Sequence, residues 1–168
     1  MTVTNVRKDP ETLTITITAE LAASPERAWQ LWADPRQLER WWGPPTYPAT
    51  VVDHDLSPGG RVTYVMTGPE GDKAAGWWQI LAVDAPHRLE FKDGFADDSG
   101  APNDAMPTMT MVVTLTEHDG GGATVMAVET RFPSLEAMEQ LVTMGMDEGM
   151  AAAMAQIDEI LAGDTRSQ

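Results

Sequence analysis

The sequence predicts an α+β fold in which a curved antiparallel β-sheet wraps around a long C-terminal α-helix. Three observations carry that prediction. Apolar residues alternate with polar ones in successive short segments, the pattern of strands with one buried face. The breaks between the central segments are short and rich in proline and glycine, which favours antiparallel neighbours. Near the C-terminus, Met146, Met150, Met154 and Ile157 recur at helical spacing and form one apolar stripe. A sheet with one apolar face and a helix with one apolar stripe must bury those surfaces against each other.

The first strand is read from Thr12 to Thr18, with Leu13, Ile15 and Ile17 on one face and threonines on the other. Ser24 follows as a helix N-cap with Pro25 at the first helical position. That helix carries Trp29 and Trp32 on one face and stops at Asp34-Pro35, because the residue before proline avoids the helical region. A short helical piece from Leu38 to Trp42 ends at Gly43-Pro44-Pro45. Strands are then expected at Ala49 to Asp55, Arg61 to Thr67, Ala75 to Val83 and Arg88 to Lys92. Asp93 to Pro107 reads as a long loop, the kind usually tied to function. Thr108 to Thr116 alternates again and is joined through Asp119-Gly120-Gly121-Gly122 to a strand from Ala123 to Phe132, a hairpin. Ser134 caps a helical segment through Leu141, and the last helix is expected from about Met146 to Leu161, ended by Gly163. The whole chain, 1–168, is read as one domain with a core over about 12–162.

Composition bounds the function classes. With 26 acidic and 11 basic residues the net charge is -15, which repels phosphate backbones and anionic lipid surfaces. No nucleic-acid partner is therefore expected. No apolar run approaches the length of a bilayer span, and the N-terminal stretch lacks the apolar region of a secretory signal, so membrane insertion is not expected and the expected location is cytoplasmic. Cysteine is absent, which removes disulfides, thiolate metal sites and a cysteine nucleophile.

An ordered series of short motifs runs along the chain: Ser24-Pro25-Glu26-Arg27-Ala28-Trp29, Trp32-Ala33-Asp34-Pro35, Trp41-Trp42-Gly43-Pro44 and Leu56-Ser57-Pro58-Gly59-Gly60. It continues with Pro69-Glu70-Gly71, Gly76-Trp77-Trp78-Gln79-Ile80, Pro86-His87-Arg88-Leu89, Gly122-Ala123-Thr124 and Glu148-Gly149-Met150. The series resembles the START-like (SRPBCC) superfamily with its helix-grip fold. Within that superfamily it is most similar to the heat-shock-protein-ninety ATPase activator homologue (AHSA) family. One departure is that Gly149 precedes Met150 where the family usually has a Gly-Trp pair. The resemblance implies a cavity between the sheet and the C-terminal helix, in a superfamily that binds lipids, sterols and polyketides and includes cyclases and hydrolases.

Large aromatic area where a helix runs out beside a sheet points to a pocket wall. Trp41, Trp42 and Trp78 are the aromatic candidates, with one of the first two expected to be purely structural. Parity puts Trp78 inward with Gly76 and Ile80, and Trp77 on the opposite face. Met66, Met109, Met111, Met126, Met146, Met150 and Met154 fall on inward faces, and methionine both fills irregular cores and adapts to varied ligands. Tyr64 is the expected polar anchor.

Metal and catalytic patterns are weak. Alternation sends His54 to the face opposite Asp53 and Asp55, and His87 and His118 lie in turns. Asp93, Asp97, Asp98 and Asp104 lack the glycine and terminal glutamate of a calcium loop and read as solvated charge near the cavity mouth. Glu129 and Arg131 group with outward residues. No nucleophile elbow, phosphate loop or Ser/His/Asp arrangement is present, so no catalytic residue, metal or cofactor is assigned. The expected function is binding of a small hydrophobic or amphipathic molecule. The resemblance leaves two alternatives: a module that stimulates a chaperone ATPase, with a chaperone as partner, and a polyketide cyclase-like or hydrolase-like enzyme.

Overall fold

The structure is a computed structural model that describes residues 3–97 and 100–166. Asp98, weighed above among the loop aspartates, and Met1 and Thr2 at the start of the N-terminal stretch lie outside the described residues. Eight antiparallel strands form one curved sheet: β1 (Val3–Asp9), β2 (Thr14–Leu21), β3 (Ala49–His54), β4 (Arg61–Thr67), β5 (Lys73–Asp84), β6 (Arg88–Ala96), β7 (Met109–His118) and β8 (Ala123–Arg131). Helices α1 (Pro25–Ala33) and α2 (Pro35–Trp41) lie between β2 and β3, and α3 (Leu135–Thr143), α4 (Met146–Ala155) and α5 (Ile157–Arg166) follow β8. The order across the sheet is β1-β2-β8-β7-β6-β5-β4-β3. After β2 the chain therefore crosses through α1 and α2 to the far edge, and a meander from β3 returns to pair β8 with β2. Register shifts between Val51 and Asp53 and between Ile80 and Ala82 insert extra residues, which bend and twist their strands.

Helix starts follow the residues that specify them. The Ser24 hydroxyl accepts from the Arg27 amide at 3.2 Å, and the Asp34 carboxylate from the Arg36 amide at 2.9 Å, each followed by proline at the first helical position. Asp34 thus ends one helix and caps the next. Ser134 caps α3 through the Ala137 amide at 3.1 Å.

The structure corrects the sequence-based boundaries in several places. Strand β1 has too few apolar residues to be read as a strand, and five of its seven residues are exposed; it forms by lying along the edge of β2. Leu13 adopts a left-handed φ of 57° in the turn before β2, so that strand starts at Thr14. β6 extends past Lys92 to Ala96. The C-terminal helix is in two pieces. Gln156 tightens the chain with a bond from its amide to the Ala153 carbonyl at 3.1 Å, while its side chain donates to the Gly43 carbonyl at 2.7 Å. Beyond this break α5 continues through Gly163 to Arg166, because glycine weakens a helix without ending it.

The core lies between the inward sheet face and the helices. Lys8 on β1 pairs with the nearly buried Asp147 of α4 at 2.6 Å, joining the sheet edge to the helix. Burial pushes the Asp147 carboxyl up, but the hydrogen bond and charge of Lys8 outweigh that and leave it below its ordinary value.

Candidate functional site

The core has a filled end and a hollow end. At the filled end, Trp32 from α1 meets the Trp41 ring edge-on at 4.7 Å, and Trp78 stacks on Phe91 at 4.0 Å. The indole N–H of Trp41 donates to the Leu31 carbonyl at 3.0 Å, so this ring is fixed by a buried polar tie as well as by packing. Trp42, one residue on, turns the other way. Its ring meets Trp78 at 4.8 Å and Tyr64 at 5.8 Å, and it forms one wall of the hollow.

That hollow is a cavity of about 200 Å³ between β4, β6, β7 and α4. Its lining brings together Trp42, Tyr64, Met66, Met109, Met111, Met146 and Met150 from the expected set, joined by Pro44, Asp93, Phe95 and Gly149. Trp41, Trp78, Met126 and Met154 do not line it; all four are fully buried in the packed core. Met126 sits on β8, paired across from Leu115, and Met154 sits beyond the turn of α4 that covers the cavity. A larger depression of about 1000 Å³ mixes polar residues such as Thr50, Asp53 and Lys73 with apolar ones such as Val52, Val65 and Met144, and shares Tyr64 and Phe95 with the cavity. The smaller space is the better site because it is apolar and holds buried polar chemistry.

That chemistry is a carboxyl and a hydroxyl. Asp93, 7% exposed, accepts a hydrogen bond from the Tyr64 hydroxyl at 3.0 Å. Tyr64 stands on β4 directly across from Gly76 on β5, while Asp93 lies on β6 across from Trp78. Tyr64 reaches Asp93 by lying over Gly76, where a Cβ would come within 2.3 Å of the phenol carbon and oxygen. A second close approach frames the carboxyl from the outer face: a Cβ on Gly94 would come within 2.5 Å of the Trp77 ring, whose N–H donates to the Phe95 carbonyl at 3.0 Å.

The position of Asp93 corrects the reading of it as solvated loop charge. Asp93-Gly94 has turn-like composition, but Gly94 serves to admit Trp77, so the strand runs on. The signal was present: Leu89, Phe91, Asp93 and Phe95 alternate, which puts Asp93 on the apolar face of β6. Removing the end of β6 leaves a shorter connection, 97–108, before β7.

Burial raises the Asp93 carboxyl to about 7, with the Tyr64 hydroxyl and the Gly94 backbone N–H pulling the other way by stabilising its ionised form. Burial also pushes the Tyr64 phenol well above its ordinary value, reinforced by the charge of Asp93. The indole N–H groups of Trp42 and Trp78 act on the Tyr64 oxygen in the opposite sense, yet neither reaches hydrogen-bond geometry, and both stay buried without a partner. The one hydrogen bond of this group is thus the Tyr64 hydroxyl onto Asp93.

The histidines lie away from this site. His54 bonds the Trp32 carbonyl at 3.0 Å, and His118 pairs with Glu20 at 3.2 Å on the surface. Glu129 and Arg131 pair with each other on the outer face. Among the described residues no three histidine, aspartate or glutamate side chains cluster as a metal site would require, and no helix is long and apolar enough to cross a membrane.

An antiparallel sheet curved around a C-terminal helix, with a cavity between them, defines a helix-grip protein of the START-like class. The AHSA1 family model, described as activator of Hsp90 ATPase homolog 1-like protein, matches residues 22–162, and the chain belongs to that family. It is similar to protein Ms6760 of Mycobacterium smegmatis, at 57% identity and a TM-score of 0.87 over 95% of this chain and 96% of that one. A protein from Arthrobacter aurescens is 48% identical with a TM-score of 0.92, over 96% of this chain and 93% of its own. DynU16, a protein of the dynemicin biosynthetic locus, shares the fold at 18% identity and a TM-score of 0.59, over 86% of this chain and 47% of that one. No curated protein matches the chain.

Proposed function

We propose that the protein binds a small hydrophobic or amphipathic molecule in the cavity between the sheet and α4. The observation that carries this reading is a methionine-walled space of about 200 Å³ with a buried carboxyl–hydroxyl pair in its wall. Few polar groups in apolar surroundings fix a ligand's orientation while the apolar wall supplies contact area. The four methionines on β7 and α4 have flexible, polarisable side chains and can re-pack around guests of different outline. A volume this small suits a one-ring compound better than a sterol.

The test is a titration of single-ring and bicyclic aromatic compounds, fatty acids and sterols. It would be followed by Trp emission and by NMR of methionine methyl groups. Shifts at Met109, Met111, Met146 and Met150 with the smaller compounds are expected. No response at those methyls from any compound would overturn the reading.

Asp93 favours a second reading, proton transfer to or from the bound molecule. A carboxyl raised to about 7 is poised for general acid–base work near neutral pH. Product formation from an unsaturated ketone that vanishes in Asp93→Asn would support it; unchanged compound after long incubation would remove it. The chaperone alternative rests on the family's description alone. Unaltered turnover of a cognate chaperone ATPase at saturating protein would remove it.

A further inference from the structure

The geometry points to a cationic occupant: the cavity takes a small lipophilic amine, whose ammonium group meets the Asp93 carboxylate. This rests on the ligand-binding reading above and names the chemistry of its polar end.

Three observations converge. Every hydrogen bond resolved at Asp93 is one that it accepts, from the Tyr64 hydroxyl at 3.0 Å and from the Gly94 backbone N–H. Such bonds stabilise the ionised carboxylate more than the neutral acid. The site is therefore arranged for an anion, yet no lysine, arginine or histidine lines the cavity. A buried carboxylate without a counter-ion is unfavourable, and a charge brought by the ligand supplies what is missing. The wall beside it presents the aromatic rings of Trp42 and Tyr64, whose faces attract cations, and methionine sulfur, which is soft and polarisable. The net charge of -15 adds a long-range attraction for cations and repulsion for acids.

The groups facing Asp93 make its titration simple. Across the strands it meets Trp78 on β5 and Met109 on β7, and α4 presents Met146, Gly149 and Met150 to the cavity. None of these titrates. Tyr64, from β4, stays protonated because burial and Asp93 both raise its pKa. On α4, Asp147 is engaged by Lys8 and Glu148 is exposed. Lys92, beside Asp93 on β6, is on the opposite face of the sheet by strand alternation. Asp93 is thus the group whose charge changes near neutrality.

The experiment compares phenethylamine with phenethyl alcohol, its uncharged near-isostere, by calorimetry and methionine-methyl NMR at about pH 8 and about pH 6. At the higher pH the amine is expected to bind at least about tenfold more tightly than the alcohol, the scale of a charge-assisted hydrogen bond. The preference shrinks several-fold at the lower pH, since Asp93 gains a proton while the amine keeps its own. Asp93→Asn abolishes the preference by weakening the amine far more than the alcohol. Tyr64→Phe, which withdraws the hydroxyl and retains the ring, moves the pH midpoint of the preference upward. Equal or tighter binding of the alcohol at both pH values overturns the amine assignment and leaves the cavity reading standing. A preference that survives Asp93→Asn, or that lacks the pH dependence, overturns it as well. If neither compound nor any of the wider panel shifts the methyls, both readings fall.

Discussion

The two ends of the core solve one packing problem with different side chains. At the filled end four aromatic rings, Trp32, Trp41, Trp78 and Phe91, are all fully buried in fixed mutual orientations. At the hollow end Met66, Met109, Met111, Met146 and Met150 surround about 200 Å³ that they do not fill. Large rings with two rotatable bonds define a shape, whereas thioether chains with three leave it adjustable. Trp42 belongs to both ends, since it packs on Trp78 and faces the cavity. The helix-grip core is thus graded, and its rigid part supports the part that encloses the cavity.

Mutations separate the two ends, in decreasing order of expected effect. Trp32→Ala should cost about 5 kcal/mol, the top of the range for deleting a buried aromatic ring, because Trp32 contacts Trp41, Trp42, Trp78 and Phe91. Urea denaturation measures this, and a loss below that of a single methionine truncation would break the rigid-end description.

Asp93→Asn should stabilise the protein, and only at higher pH. The folded-state pKa is raised from 3.8 to about 7, so the native protein holds a proton in that window that the unfolded chain has released. Stability contributed by Asp93 therefore falls as pH rises from about 4 to about 7 and is level above that. The difference of about 3 units corresponds to an upper limit of roughly 4 kcal/mol. Melts of wild type and variant should converge at the acid end and separate by pH 8; parallel curves would show that the carboxyl is not held in its protonated form.

Gly76→Ala should cost about 2 kcal/mol by forcing Tyr64 off the strand, and it should weaken the Tyr64–Asp93 bond in the same step. A neutral result would mean that the ring moves freely and the pair is loosely held. The smallest effect is expected at the hollow end. Met109→Leu conserves volume and should change stability by less than about 1.5 kcal/mol while narrowing the range of compounds bound. A larger stability loss would show that this end is packed as tightly as the other.

Much of the architecture was legible because it rests on local chemistry. Ser24-Pro25 announces the start of α1 and Asp34-Pro35 its end, though not that α2 begins at Pro35 instead of Leu38, and the alternation in Thr108 to Thr116 orients β7 correctly. Strand β1 was not legible, since an edge strand owes its existence to a neighbour. Nor was the break at Gln156, which depends on a carbonyl 113 residues earlier in the chain. The site was half legible. Inward parity identifies a set of core methionines, but separating Met109 and Met111 from Met126 and Met154 requires knowing where α4 leaves space. Asp93 was obscured by the glycine after it, whose purpose lies in the ring of Trp77 on another strand.

The crossover through α1 and α2 also shapes how the molecule assembles. Strands β3 to β8 form a meander of sequential neighbours, whereas β2 completes the sheet only by pairing with β8, as in Ile17 with Val128. Closing so long a loop costs chain entropy before the pairing returns any contact energy, so the N-terminal hairpin should dock late on a slow folding path. Stopped-flow measurements on Ile17→Val should then show faster unfolding with little change in the folding rate. The meander carries Tyr64, Asp93 and the β7 methionines, so the cavity wall on the sheet side is drawn from the segment expected to form first.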